Sequence, residues 1–198
     1  MDMARRGRPR NEQSTTDILV ATLELVSEVG LSALTMDAVA SRAGVSKATI
    51  YRRWSSKEQL LLDAWMSAVR RPDEPDTGSL RDDLRAMFTG LGLDPLPGVD
   101  IQRVFPQMIA AAKVNDDVAA AYRAFITERR RPMQAVLRRA VARGELAADV
   151  DLDLVHDLLV APVVYRWLVS DGPVDESVTT RLIEIVLTGV DALPRLEV

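Results

Sequence analysis

The chain has 198 residues, of which 47% are hydrophobic and 27% charged, with no cysteine. This is an ordinary globular balance, and it excludes disulfide frameworks and thiolate metal sites. The net charge of −4 is unevenly placed: residues 1–71 hold 11 Lys and Arg against 8 Asp and Glu, whereas residues 72–198 hold 14 against 21. A basic start on an acidic remainder suits a chain that meets phosphate with one end only.

Residues 1–13 include Arg5, Arg6, Arg8 and Arg10 and few apolar side chains, so a disordered basic arm is expected. No secretory signal is expected, because no apolar run follows this basic start. From Ser14 the pattern turns helical, with Ser14-x-x-Asp17 as a capping-box start and Ile18, Thr22, Leu25 and Val29 as one stripe, stopped at Gly30. Thr35 caps a short helix that carries Val39 and Ala43 inward, and Gly44 breaks it. Ser46 caps a third helix through Arg53. Ser55-x-x-Glu58 opens a fourth, with Leu61, Ala64, Trp65 and Ala68 inward. The run Pro72 to Gly78 is a cluster of helix breakers and marks the expected domain boundary.

Beyond it, Ser79-x-x-Asp82 starts a helix to about Leu93, and a Pro/Gly loop spans Asp94 to Gly98. Further helices are predicted over Ile101–Val114, from an Asn115 cap to Arg143 with a kink at Pro132, over Leu152–Ser170 and over Asp175–Asp191. The longest apolar run, Leu158–Tyr165, is far short of the ~20 residues that span a bilayer. No segment alternates with period two. The expectation is a cytoplasmic, all-α protein of about nine helices with no membrane partner: a helix-turn-helix unit over 14–71 and a helical bundle over 79–198.

Reading DNA requires a helix presented end-on to the major groove by a second helix across a tight turn. Met36 to Trp54 has each part. Ala40 is small where two helices cross, Gly44 sits at the turn, and Val45 and Ile50 are apolar pins. Ser46, Lys47, Ala48 and Thr49 form an exposed first turn. Tyr51, Arg52, Arg53 and Lys57 suit phosphate, and Thr35 caps the supporting helix, whose N–H groups can face phosphate. A plain helical hairpin with a basic face is the competing reading of the spacing alone.

The string LTMDAVASRAGVSKATIYRRWSSKEQLLLDAW resembles the signature of the tetracycline-repressor (TetR) family of bacterial regulators. The resemblance is carried by Leu34-Thr35, Ala40, Ala43-Gly44-Val45-Ser46, Thr49-Ile50-Tyr51, Trp54 and Lys57-Glu58-x-Leu60-Leu61, with a looser likeness around Arg143-Gly144-Glu145-Leu146. It implies backbone contacts at Thr35, Tyr51 and Lys57, groove-facing positions at Ser46, Lys47, Ala48 and Thr49, and base or phosphate contacts at Arg52 and Arg53. Family members vary at Lys47 and Ala48, so the resemblance transfers no operator sequence. By geometry Lys47 favours guanine, and Ala48 or Thr49 a thymine methyl. The arm Arg5-Arg6-Gly7-Arg8-Pro9-Arg10 resembles the core of an AT-hook, which enters narrow minor grooves; a loose basic tail is the other reading.

For the remainder, the resemblance implies a homodimer on a palindromic double-stranded operator and a small-molecule pocket. The dimer residues expected are Leu154, Val155, Leu158, Leu159, Pro162, Val163, Tyr165 and Arg166 on one helix, and Leu182, Ile183, Val186 and Leu187 on the last. Ordinary burial within a monomer is the alternative. The pocket candidates are Met87, Phe88, Leu91, Phe105, Met108, Ile109, Phe125, Met133, Leu137, Val164, Trp167 and Leu168, all of which also fit plain core. The expected ligand is small and apolar or amphipathic. His156 is the only histidine, so no metal or cofactor is expected. The expected function is a repressor released by that ligand. The alternatives are an activator of the same fold, a non-specific DNA-binding protein or an enzyme, the last lacking any nucleophile–base or phosphate-loop motif.

Overall fold

The computed structural model describes residues 10–69, 72–89, 99–170 and 172–192. They form helices α1 (Arg10–Ala33), α2 (Met36–Arg42), α3 (Lys47–Tyr51), α4 (Lys57–Ala68), α5 (Leu80–Thr89), α6 (Ile101–Val114), α7 (Asp116–Arg143), α8 (Leu152–Tyr165) and α9 (Glu176–Ala192). A π-helical turn, Arg166–Ser170, continues α8. There is no strand among the described residues, and none of the described helices is long and apolar enough to cross a membrane.

The chain divides into two compact units, Met1–Val69 with Leu93–Arg123, and Arg70–Gly92 with Ala124–Val198. The expected division at 72–78 is therefore incomplete. Helix α6 and the first turns of α7 pack with the N-terminal helices, although they follow the breaker cluster in sequence.

In the first unit α1 packs on α2, α4 and α6, and α4 packs on α6. Ile18, Leu23, Val26, Leu60, Leu61, Val104 and Met108 are fully enclosed, and Trp65 stacks on Phe105 with ring centroids 5.1 Å apart. Three expectations are corrected here. Helix α1 begins at Arg10, not Ser14, so residues 10–13 of the expected disordered arm are helical; Asp17 accepts from the Gln13 side chain at 2.9 Å, an i,i+4 pairing that a helix brings together. Val29 is exposed and Val26 is in the core, because Ile18, Thr22 and Val26 form the buried i, i+4, i+8 row of the helix. The cap of α4 is Ser56, whose hydroxyl accepts from Gln59 N, while the Gln59 side chain returns to Ser55 Oγ at 3.1 Å. The hydroxyl cap thus lies one residue after the predicted Ser55, and Gln59 rather than Glu58 accepts from Ser55.

The second unit buries Leu80, Leu84, Met87 and Phe88 of α5 against Met133, Val136, Leu137 and Ala140 of α7, Val155, Leu159 and Val163 of α8, and Ile183, Val186 and Leu187 of α9. Residues 72–78 are irregular, as their breakers require, yet firmly held. Arg139 of α7 donates to Glu74 and to the Pro75 carbonyl, both at 2.6 Å, and Arg143 reaches Asp76 and the fully buried Asp83. Asp83 also accepts from Thr77 N at 2.7 Å and Thr77 Oγ1 at 2.8 Å, so its buried charge has both an ionic partner and hydrogen bonds. Glu145 accepts from Leu80 N at 2.7 Å and so holds the start of α5 to the turn after α7. Helix α7 runs through Pro132 as one element.

Candidate nucleic-acid interface

The helix-turn-helix is α2, the turn 43–46 and α3. Each of its helix starts is capped by a hydroxyl. Thr35 Oγ1 accepts from Ala38 N at 3.1 Å, and Ser46 Oγ accepts from Thr49 N at 3.3 Å. Gly44 adopts φ +65, a conformation that costs a glycine little. The reversal is closed by Val45 N, which donates to the Ala40 carbonyl at 3.0 Å. Inside the angle, Val39, Ala40 and Ile50 are buried, and α3 is pinned by Ile50 at zero exposure. Trp54 follows it into the core, and its indole N–H donates to Asp63 at 2.8 Å.

The outer face holds most of the residues expected to meet DNA. Thr35, Ser46, Lys47, Ala48, Tyr51, Arg52 and Arg53 are exposed and Thr49 is half-buried. Tyr51 stands 57% exposed, which no packing role requires. Two of these side chains have partners that the sequence did not reveal. The Lys47 ammonium pairs with Asp37 in the first turn of α2. The Arg53 guanidinium donates to the Thr15 hydroxyl. Ser46 and Thr49 share a hydrogen bond of 2.9 Å between their hydroxyls. Behind the motif, Arg42 grips Glu28 through two bonds of 3.0 and 2.9 Å and reaches Glu24 at 3.3 Å. The bonded guanidinium holds the Glu28 carboxyl below its ordinary range.

Lys57 differs most from expectation. Its ammonium donates to the carbonyls of Leu31 at 2.7 Å, Ser32 at 3.1 Å and Leu34 at 3.3 Å. All three of its donors are used within the protein. A cation in the first turn of α4 needs negative charge nearby, and the carbonyl end of α1 supplies it. Arg5, Arg6 and Arg8 lie outside the described residues, as does the Arg10 side chain.

The expected pocket residues fall in both units. Phe105, Met108 and Ile109 belong to the first unit, and Met87, Phe88, Phe125, Met133, Leu137 and Val164 to the second. Met87, Phe88, Met133 and Leu137 are close-packed core. Phe125 lies under the Arg129 guanidinium at 5.6 Å. Leu91 and the side chains of Trp167 and Leu168 lie outside the described residues. One described cavity, of about 470 Å³, is lined by Ala161, Pro162, Tyr165, Arg166 and Ser170. Another, of about 260 Å³, lies between the start of α4 and the start of α7, with Asp63 and Asp117 among its walls.

The expected dimer residues split by helix face. Val155, Leu159, Val163, Ile183, Val186 and Leu187 are buried within the chain's own core, and Leu182 is half-buried against it. Leu154, Leu158, Pro162 and Tyr165 are exposed or partly so, and Arg166 is half-buried. The exposed set extends to Val169 and to Ile185, which is 70% exposed. His156 is buried and sits 3.2 Å from Asp157, while Arg130 binds Asp157 at 2.6 Å and Asp153 at 3.0 Å. Among the described residues no group of three or more His, Asp or Glu could hold a metal ion.

Residues 18–64 match the family model described as bacterial regulatory proteins, tetR family, and residues 74–186 match the tetracyclin repressor-like C-terminal domain. The HTH-type transcriptional regulator YdeS of Bacillus subtilis is 35% identical over 193 residues, covering 96% of each chain. The DNA-binding transcriptional repressor TetR of Mycobacteroides abscessus is 36% identical over 185 residues, covering 90% of this chain and 94% of that protein. The crystal structure of the TetR family transcription regulator SCO0332 superposes with a TM-score of 0.67 at 35% identity, over 92% of this chain and 100% of that one. With a capped, outward-facing helix-turn-helix and both family models matched along its length, this chain belongs to the TetR family and is a DNA-binding, helix-turn-helix transcriptional regulator.

Proposed function

We propose that the chain is a homodimeric repressor that occupies a palindromic operator and leaves it when a small apolar or amphipathic molecule binds within residues 79–198. The observation that carries the DNA-reading part is the first turn of α3. Ser46, Lys47 and Ala48 face outward with their backbone already capped, beside an exposed Tyr51 and Arg52. In this reading Lys47, Ala48 and Thr49 read base edges, and Thr35, Tyr51, Arg52 and Arg53 bind phosphate. Residues 14–71 are the DNA-binding domain, and the Arg5–Arg10 arm follows the minor groove.

A two-fold dimer is supported by the apolar stripe that α8 leaves uncovered, Leu154, Leu158 and Tyr165 at 52, 45 and 58% exposure, with Ile185 exposed on α9. Large apolar side chains ranked along one helix face are the usual mark of a protein–protein surface. Two recognition helices about 34–36 Å apart, or somewhat more, then read two half-sites of one palindrome. The repressor direction is supported by the Mycobacteroides abscessus relative, and the ligand-responsive role of the C-terminal portion by the match over 74–186. Core methionines such as Met87 and Met133 would let that portion adapt to a guest. The test is transcription in vitro from a promoter overlapping a duplex that the full-length protein has selected from a randomised pool. Repression predicts that transcript falls as protein is added; a rise would make the chain an activator.

A further inference from the structure

We infer that Gln107 and Lys57 are positioning residues for DNA reading: Gln107 holds the interruption of α1 at Gly30, Lys57 holds the turn that follows it, and together they fix where α2 and α3 stand. The inference rests on the DNA-reading role of α3 given above. Gly30 has φ +83 and ψ 160, a conformation essentially restricted to glycine. A helix broken there loses backbone partners on both sides of the break. Gln107 of α6 supplies one on each side.

On the donor side, Leu31 N donates to Gln107 Oε1 of α6. The same amide is held in place by its own nitrogen, which donates to the Val26 carbonyl at 3.3 Å and to the Arg103 carbonyl at 3.0 Å. A Cβ added at Gly30 would stand 3.2 Å from Gln107 Oε1, so the close approach also favours the glycine. Ser27 Oγ, one turn earlier, accepts from Asp100 N at 3.0 Å and anchors the start of α6. Past the break, the Leu31 and Ser32 carbonyls at the end of α1 and the Leu34 carbonyl just beyond it receive the Lys57 ammonium from α4.

The break is therefore clamped by α6, and the turn that leads from it to α2 by α4. Only Leu34 and the α2 cap Thr35 separate the end of α1 from α2. The direction in which the chain leaves Gly30 sets the start of α2, and α2 carries α3. A lysine bound to three carbonyls thus shapes the DNA-reading face without touching phosphate.

The experiment uses the full-length protein and Gln107→Leu, Lys57→Met and the double variant, each at a temperature where circular dichroism shows it folded. Affinity is measured for a duplex selected by the wild-type protein and for a random duplex, over a series of salt concentrations. Each single variant is expected to bind the selected duplex about three- to tenfold more weakly, the range set by the loss of one hydrogen-bonded anchor. Random-duplex affinity and the salt slope stay at the wild-type values, and the double variant loses less than the product of the singles, because both clamps hold one short segment. A log–log salt slope that is shallower by ~0.9 in Lys57→Met makes Lys57 a phosphate ligand and overturns the inference. Unchanged discrimination in the folded variants, or fully multiplicative losses, also overturns it. Should a variant not fold, hydrogen exchange at the Leu31 amide of the wild-type protein decides: protection is expected, and exchange at an open-chain rate refutes the clamp. Failure of the wild-type protein to enrich any duplex would instead count against the DNA-reading assignment.

Discussion

Replacing Asp37 by asparagine should tighten DNA binding while making the protein slightly less stable. In the free protein Asp37 pairs with the Lys47 ammonium, and that pair must open before Lys47 can reach a base edge or a phosphate. The two side chains are 56 and 62% exposed, which places the pair in the well-screened class worth ~0.2–1 kcal/mol. Removing this competition should lower Kd by a factor of about 1.4 to 5, with a further gain at low salt from deleting a negative charge beside the phosphates. Asp37 also sits in the first turn of α2, where a carboxylate favours the helix by about 0.3–1 kcal/mol. Tm should therefore fall a little as affinity rises, and the opposite signs separate this effect from general loosening. Fluorescence anisotropy on a selected duplex, with thermal melts on the same samples, reads both quantities. A Kd that rises or stays fixed as Tm falls would refute the competition. So would an equal gain from Asp37→Asn in a Lys47→Met background.

Deleting residues 1–9 should weaken DNA binding and make the slope of log K against log salt shallower by ~0.9 for each phosphate that the arm neutralises; an unchanged slope would remove the arm from the interface. Leu158→Arg, at a side chain already 45% exposed, should shift sedimentation to the monomer while leaving the monomer's far-UV circular dichroism intact; an unchanged dimer would move the interface elsewhere. Burial pushes the His156 imidazole below its ordinary 6.5, against the opposing pull of Asp157. The unfolded chain then takes the proton first, so this contribution to stability is complete above 6.5 and declines as pH falls below it. His156→Gln should flatten urea stability between about pH 7 and 5, and an unaltered profile would show that the imidazole's burial has no such effect.

The DNA-reading motif was legible because its determinants are local. Thr35 and Ser46 cap within three residues of themselves, Gly44 turns where it stands, and Ile50 lies one turn from the cap it follows. The residues that tie the motif to the rest were not legible, since each depends on a partner distant in sequence. Gln107 lies 76 residues from the Leu31 amide that it receives. Lys57 reads as a phosphate ligand in the sequence because the α1 carbonyls it binds are invisible without the fold. On α8 the apolar residues surround the helix almost completely, so periodicity could not divide the core face of Val155, Leu159 and Val163 from the outer face of Leu154, Leu158 and Tyr165. The breaker cluster 72–78 reads as a linker because its ties to Arg139 and Arg143 join residues 65 and 67 positions apart.

If the face formed by Ser46 to Arg53 reads sequence, it must hold one duplex against a large excess of others. Gel-shift titration of the full-length protein measures this on an inverted-repeat duplex taken from selection, with random DNA in large excess. The wild type is compared with a Lys47→Met, Tyr51→Phe double variant. A sequence-reading face predicts a wild-type shift that survives the competitor. It also predicts a variant that loses most of that shift, at ~1–3 kcal/mol for the base-reading contact, while it remains folded. A wild-type shift erased by competitor, or a variant that binds like the wild type, would be incompatible with that role.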